Sequence, residues 1–238
     1  METRRSNEMK VYLDISDIHA IVNSTSNLRD KLLIRILFGL ACRISEALAI
    51  TVQDIDLRQG TIIIKHLKER IKLSCHHCGT RLSKANKYCP GCSRKISQAI
   101  KERLEHHRRR VLPIDTETLK MLKVYIDRGG PVNRNGQLLL FGINRHRAWQ
   151  IIRQCAERAD LPKLINPETG KIHNVSPHRF RDAFAVNAVK HDDSGDGIRM
   201  LQAHLGHVSI STTMRYRKVA GEEHRDWYNK LWNKEDKS

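Results

Sequence analysis

Apolar positions in the first part of the chain recur at helical spacing. From Leu28 onward, Leu32, Leu33, Ile36, Leu37 and Leu40 fall on one face and Arg29, Asp30, Lys31 and Arg35 on the other, the pattern of a helix with one buried side. A shorter helix is expected over 12–22, with Ser16 as N-cap ahead of Asp17, Ile18 and Ile21. The pattern breaks at 41–44, and Ser45 is placed to cap a turn through Glu46, Ala47 and Leu48. The period then changes. Thr61-Ile62-Ile63-Ile64, after an Arg58-Gln59-Gly60 turn, predicts a β-branched strand. Its partner is expected at Arg110-Val111-Leu112-Pro113-Ile114. An interval of about 35 residues, far beyond a hairpin loop, implies a small module inserted at the hairpin tip.

Helical spacing returns at 116–128 through Leu119, Leu122 and Ile126, ends at Gly129-Gly130-Pro131, and resumes over 147–159 before a turn-rich connection at 162–175. Ser176-Pro177 places an N-cap and a first-turn proline ahead of a helix to about residue 191. A polar loop at 192–197 leads to a short helix over 198–205, stopped by Gly206. Ser209 is placed to cap a last short helix through Tyr216. These elements describe an α+β fold, mainly helical, with a small antiparallel sheet.

Composition narrows the class. The 238 residues hold 43 Lys plus Arg against 26 Asp plus Glu, a formal net charge of +17. A surplus of that size points to a polyanion, with nucleic acid the first expectation. An anionic membrane surface would want a basic amphipathic helix with a clean apolar face, and the basic runs are not of that kind. No apolar run approaches the roughly 18–20 residues of a membrane span. METRRSNEMK lacks the apolar region of a secretory signal, so a cytosolic protein is expected.

Six cysteines stand at 42, 75, 78, 89, 92 and 155. Cys75-His76-His77-Cys78 and Cys89-Pro90-Gly91-Cys92 are two C-x-x-C pairs with ten residues between them, the donor set of a structural Zn²⁺. Redox dithiols are the alternative, and His76 or His77 can substitute for one cysteine. Four protein ligands leave no open position for a catalytic water. Gly79 and Gly91 are expected at the tight turn of each knuckle. Lys84, Lys87, Arg94 and Lys95 surround the knuckles, where they favour thiolates and can meet phosphate. Cys42 and Cys155 lie in apolar helical contexts and read as core residues.

Four further motifs carry chemistry: Leu40-Ala41-Cys42-Arg43-Ile44-Ser45-Glu46-Ala47-Leu48, His178-Arg179-Phe180-Arg181, Leu205-Gly206-His207, and Tyr216 nine residues after His207. In order and spacing, from about Tyr12 to Val219, the chain resembles the tyrosine recombinases, the phage-integrase-like site-specific recombinases. The first motif has one extra residue before Arg43. The resemblance implies that Tyr216 attacks a DNA phosphate to form a 3′-phosphotyrosyl intermediate, needing neither ATP nor a catalytic metal. Arg43 and Arg181 would stabilise the transition state and His178 and His207 would donate hydrogen bonds or exchange protons. A lysine of the hairpin would protonate the leaving 5′-hydroxyl. Lys68 is placed for it, Lys65 is second, and Lys72 lies in the same stretch. Glu46 would orient the arginine, and His204 is a neighbour.

The domains expected are a catalytic domain in two parts, 1–74 and 105–218, a zinc ribbon at 75–104, and a tail at 219–238. The tail bears Trp227, Tyr228, Leu231 and Trp232 and can form a helix exchanged between subunits or pack on its own domain. About ten residues precede the first helix, so the N-terminal helical domain that closes a clamp in such enzymes is expected to be missing. Three readings stay open: a minimal, catalytic-domain-only enzyme, an accessory protein that supplies the other half, or the ribbon itself providing the extra grip on DNA. Lys84, Lys87, Arg94, Lys95, Arg108, Arg109, Arg110 and Arg179 are the expected DNA contacts, beside a basic stretch that includes Arg103, His106 and His107. The implied partners are double-stranded DNA and further copies of the chain in a tetrameric synapse, in the prokaryotic nucleoid, with a mobile element as the setting and integration, excision and inversion all open. Two other functions fit the motifs: a type IB topoisomerase, which reseals the same strand, and a catalytically silent DNA-binding protein of this fold.

Overall fold

The stripe that begins at Leu28 folds as written. In the computed structural model, which describes residues 10–65, 70–83, 85–96, 99–104, 109–166, 169–219 and 228–229, Leu28–Gly39 is a helix (α2) capped by the Asn27 side chain on the Asp30 amide. Leu32, Leu33, Ile36, Leu37 and Leu40 are all buried. The preceding helix, α1, is Ile15–Asn23, and its cap is Asp14, not Ser16. Asp14 accepts from the Asp17 amide while Asp17 accepts from the Asp14 amide, a reciprocal capping box. After α2 the chain turns through Ala41 at φ +44, and α3 (Ile44–Leu48) starts with Arg43 in the N-cap position. The cap therefore lies two residues before the one expected at Ser45.

The chain divides into two compact units, one of residues up to Ile64 and from Arg110 on, the other of Lys65–Arg109. In the first unit, β1 (Ile55–Asp56) pairs antiparallel with β2 (Thr61–Lys65), Ile55 opposite Ile62. The second unit contributes β3 (Arg70–Cys75), β4 (Arg81–Leu82) and β5 (Ala99–Leu104), a sheet of order β4-β3-β5. The register runs from Cys75 opposite Ala99 to Arg70 opposite Leu104. The unit is therefore wider than 75–104: β3 begins before Cys75, and the unit spans Lys65–Arg109. The sheet of the first unit is completed by β6 (Arg109–Pro113), in the order β1-β2-β6.

Four helices and two small hairpins follow before the last helix. Helix α4 is Thr116–Asp127, β7 (Val132–Arg134) pairs with β8 (Gln137–Leu139), and α5 is Arg145–Arg158. The β7–β8 turn is Asn135-Gly136, both at positive φ, the residues that a tight hairpin turn demands. Strands β9 (Leu164–Ile165) and β10 (Ile172–His173) form the second hairpin. Helix α6 is Pro177–His191, with Ser176 and Pro177 at the expected cap and first turn. Helix α7, Gly195–Leu205, starts three residues earlier than expected because the Ser194 side chain caps it on the Gly197 amide. Gly206 ends it in the left-handed conformation, φ +67. Helix α8 is Ile210–Met214, and Arg215–Val219 continues as a 3₁₀ turn, so Tyr216 sits just past α8.

The main core of the first unit packs α1, α2 and α5 with Phe141 and the start of α6, including Phe180 and Ala183. A smaller cluster joins Ala41, Ala185, Val189, Ile198, Leu201 and Leu205, with Met214 and Tyr216 packed against it. This second cluster supports the site described next. Cys42 and Cys155 are buried core residues, as expected. Among the described residues, no helix is long and apolar enough to cross a membrane.

Candidate active site

Helix α6 sends two motif residues in different directions. Arg181 points inward and is 2% exposed. His178, one turn earlier, stands at the rim with 73% of its side chain exposed. Burying a guanidinium requires acceptors, and Arg181 has two backbone carbonyls: Nη1 donates to Ala41 O (2.6 Å) and Nη2 to Leu205 O (2.7 Å). The two chain breaks that carry the other motifs, after α2 and after α7, are thereby tied to one side chain. Burial, with Arg43 and Arg110 beside it, lowers the Arg181 pKa to about 10, so it stays charged at neutral pH.

Arg43 is set by Glu46. Glu46 Oε2 accepts the Arg43 amide (3.0 Å) and Oε1 accepts its Nη1 (2.8 Å). The carboxylate also takes Nη2 of Arg110 at 2.9 Å. Its pKa is held low, because those hydrogen bonds and cations outweigh its burial. Three guanidiniums thus gather around one carboxylate, leaving a local surplus of positive charge. Cys42, beside Arg43, is inert: burial pushes its thiol up to about 12.

His207 follows Gly206 and is fixed by Thr213, whose Oγ1 lies 2.9 Å from its Nδ1. Thr213 is buried in α8, so the helix that precedes Tyr216 also orients the histidine. The rings of His207 and Tyr216 lie nearly parallel, 10° apart with centroids at 6.5 Å. The Tyr216 hydroxyl donates to Asp182 Oδ1 at 3.0 Å. Burial and the Asp182 carboxylate raise the Tyr216 pKa above the usual phenol value, so the hydroxyl keeps its proton at rest. Asp182 also faces Arg179 (3.4 Å) and His178 Nδ1 (3.8 Å). Desolvation, and then Arg181, Arg43, Arg110 and His178, push His207 down to about 4. His204 is pushed down to about 4 as well, by burial first and then by Arg110 and Arg181. It stacks on Phe184, and its Nε2 is buried without a partner.

These two histidines fix the sign of a pH dependence. Each titrates near 6.5 when unfolded and near 4 in the fold, so between those values the unfolded chain binds more protons. Stability is then complete above about pH 6.5 and is lost as pH falls toward 4. The melting temperature should fall from pH 7 to pH 5, and His204→Leu should flatten that fall. An unchanged profile in the variant would contradict the assignment.

Tyr216, Arg43, Arg181, His178 and His207 are brought to one place within the first unit. Lys68 lies outside the described residues, and Lys65 is the last residue of β2. Arg110 is a correction: it is not part of an exposed basic run but 11% exposed, with its guanidinium on Glu46 and on the Leu205 carbonyl. Arg179 is half-buried against Asp182. Lys87, Arg94, Lys95 and Arg109 are exposed; Lys84 and Arg108 lie outside the described residues. So do Trp227, Leu231 and Trp232 of the tail, whereas Tyr228 is described and exposed. Sequence reading did not single out Asp182, gave Thr213 no role of its own, and treated Arg110 as one of three consecutive arginines.

In the second unit the Sγ atoms of Cys75, Cys78, Cys89 and Cys92 lie within 4.8 Å of one another. Cys75–Cys92 is 3.8 Å and Cys78–Cys89 3.4 Å. A tetrahedron with ~2.3 Å Zn–S bonds has ligand edges of about 3.8 Å, so the donor set fits. The two knuckles are built alike. Gly79 and Ser93, each four residues after the first cysteine of its pair, donate to that cysteine's carbonyl at 3.0 and 2.9 Å. Both have positive φ. The left-handed residue of the second knuckle is therefore Ser93, not Gly91. Gly91 is needed for another reason: its amide donates to Cys89 Sγ (3.4 Å), and a Cβ there would strike the Thr80 side chain.

Comparison with known proteins places this geometry. The model of the phage integrase family matches residues 7–107 and 77–223. Tyrosine recombinase XerD of Yersinia pestis is 27% identical over 226 residues, covering 90% of this chain and 59% of that protein. XerD of Corynebacterium glutamicum is 26% identical over 227 residues, covering 94% and 59%. The chain thus spans under two thirds of the length of these relatives. Among solved structures, XerA recombinase aligns with a TM-score of 0.61 at 20% identity, covering 97% of this chain and 67% of that one. The catalytic domain of bacteriophage HP1 integrase aligns at 0.52 and 18%, covering 93% and 95%. XerH bound to its palindromic difH substrate, in a post-cleavage complex, aligns at 0.58 and 16%, covering 98% and 56%. The chain belongs to the phage integrase family and has the fold of a tyrosine recombinase catalytic domain.

Proposed function

We propose that this protein is a site-specific DNA recombinase that cuts and rejoins strands through a 3′-phosphotyrosyl bond at Tyr216. The observation that carries the reading is the arrangement of Tyr216 beside His207, with Arg43 and Arg181 in the same charged cluster. A phosphodiester seated there meets two forked, permanently charged donors, which suit the oxygens of a pentacoordinate transition state. Burial first and the arginines second hold His207 neutral; the phosphate's negative charge offsets the arginines, so the pKa of His207 rises when DNA binds, which favours the ring as a hydrogen-bond donor. His178, exposed at the rim, reaches the same phosphate from the solvent side. Tyr216 Oη bonds to phosphorus as the P–O5′ bond breaks, and the phenolic proton passes to the Asp182 carboxylate, which already accepts it at 3.0 Å. The 5′-oxygen is protonated by Lys68, which lies outside the described residues. A second strand's 5′-hydroxyl reverses the step, and the phosphotyrosyl bond conserves the energy for rejoining.

DNA duplexes are the substrate in this reading, as for the XerH complex, and copies of the chain assemble on them as a tetramer. The tail at 219–238 serves that assembly. The protein works at the nucleoid. Lys84, Lys87, Arg94, Lys95, Arg108 and Arg109 supply phosphate contacts from the ribbon and its flanks. Cys75, Cys78, Cys89 and Cys92 hold a structural Zn²⁺ that staples a unit whose buried apolar cluster is small. One zinc per chain is expected by metal analysis. Cys89→Ser should release it and expose 65–109 to protease; a metal-free wild type with an equally resistant ribbon would contradict the zinc assignment.

The test of function is to incubate the protein with fragmented DNA from the organism that carries it. Detergent-stable adducts are then captured and the attached ends sequenced. Adducts converging on one short sequence, and recombinants when two such sites share a plasmid, are expected. Plasmid relaxation without recombinants would favour a topoisomerase, and binding without adducts a silent DNA-binding protein.

A further inference from the structure

Arg110 lies outside the four motifs, yet its guanidinium joins both site arginines through shared acceptors. Nη2 donates to Glu46 Oε2 at 2.9 Å, and the other oxygen of that carboxylate takes Arg43 Nη1 at 2.8 Å. Nη1 donates to the Leu205 carbonyl, which also accepts Arg181 Nη2 at 2.7 Å. The bonds run without a gap from Arg43 through Glu46, Arg110 and Leu205 to Arg181. Three like charges this close repel, and Glu46 alone cannot fix where each one sits. A planar fork with two committed donors can, because it sets the separation between the carboxylate and the carbonyl.

Gly206 supports the same conclusion. Its φ of +67 suits a glycine, and a Cβ added there would fall on the Arg110 guanidinium. The glycine of the Leu-Gly-His motif therefore ends α7 and also leaves room for the side chain that bonds the preceding carbonyl.

We propose that Arg110 is a positioning residue that sets the spacing of Arg43 and Arg181, not a DNA phosphate contact. The proposal rests on the recombinase reading, and its test separates the two. Full-length wild type, Arg110→Lys, Arg110→Gln and Gly206→Ala are compared on a nicked suicide duplex built from the captured ends. Adduct formation is measured in single turnover at saturating DNA, and affinity as a function of salt. Arg110→Lys keeps the stem and the charge and so preserves a cooperative melting transition.

The rate on bound DNA should fall about 10²-fold in Arg110→Gln and Gly206→Ala and about tenfold in Arg110→Lys, the scale of a misplaced catalytic group. Affinity should stay within about twofold and its salt slope should not change. A salt slope reduced by about one with an unchanged rate on bound DNA would make Arg110 a phosphate contact and overturn the proposal. Wild-type rates in all three variants would overturn it too. A wild type that forms no adduct contradicts the recombinase reading instead.

Discussion

Tyr216→Phe should bind the suicide duplex as the wild type does and form no covalent adduct, a loss of about 10⁴-fold or more, as expected when a nucleophile is removed. The substitution deletes one oxygen. The ring still packs beside His207 and on the α6–α7 cluster, so the melting temperature should change little. What disappears is the hydroxyl now bonded to Asp182 at 3.0 Å. Because burial and Asp182 keep that hydroxyl protonated, no reservoir of phenolate exists before DNA arrives. Attack must then be coupled to proton loss, and reaction waits for the phosphate. An adduct formed by the Phe variant would place the nucleophile elsewhere.

Arg181→Ala has the second-largest effect, and it falls on folding and chemistry together. The side chain is buried and donates to the carbonyls of Ala41 and Leu205. Leu205 keeps Arg110, but the Ala41 carbonyl loses its donor at a turn with positive φ. A buried acceptor without its donor costs about 1–3 kcal/mol, more where the donor was charged, so a loss of about 2–4 kcal/mol is expected in urea titration. Adduct formation should fall about 10²–10³-fold beyond any unfolding, the usual result of deleting one transition-state donor. Arg181→Lys should recover part of the stability, but a single ammonium does not reproduce the forked geometry. An alanine variant that melts and cleaves like the wild type would show that the motif arginine serves neither role.

Helices with one unambiguous signal were legible in the sequence: α2 starts where its apolar stripe placed it, and α6 where Ser176-Pro177 placed it. Starts decided by a side chain's choice between neighbours were not. Asp14 rather than Ser16 caps α1 because Asp17 completes a reciprocal pair. Ser194 caps α7 across two glycines that read as loop. The β7–β8 hairpin carried its Asn135-Gly136 signal, but strands of three residues are too short to show alternation. The motif residues of the site were legible as residue types at fixed spacings. Their supports were not, since a backbone carbonyl such as that of Leu205 leaves no mark in a sequence. Arg110 had a mark: it alternates with exposed Arg109 and Val111 and shares a strand face with buried Leu112. Within a run of arginines, that alternation was outweighed by the charge.

The +17 charge consequently has two kinds of address. Arg110 and Arg181 are held inside the site on specific acceptors and exposed Arg43 is fixed there by Glu46, whereas Lys87, Arg94, Lys95 and Arg109 are exposed on the surface. Only the second kind is free to release counterions broadly along a duplex.

The most direct measurement is the identity of the bond itself. Wild-type protein is trapped on the suicide duplex and digested with nuclease and protease, and the nucleotide-bearing peptide is sequenced by mass spectrometry. The expected result is a single nucleotide attached through its 3′-phosphate to Tyr216, with a free 5′-hydroxyl on the released strand. Attachment to another residue, a 5′-phosphate linkage, or cleavage without any attached peptide would contradict the proposed chemistry.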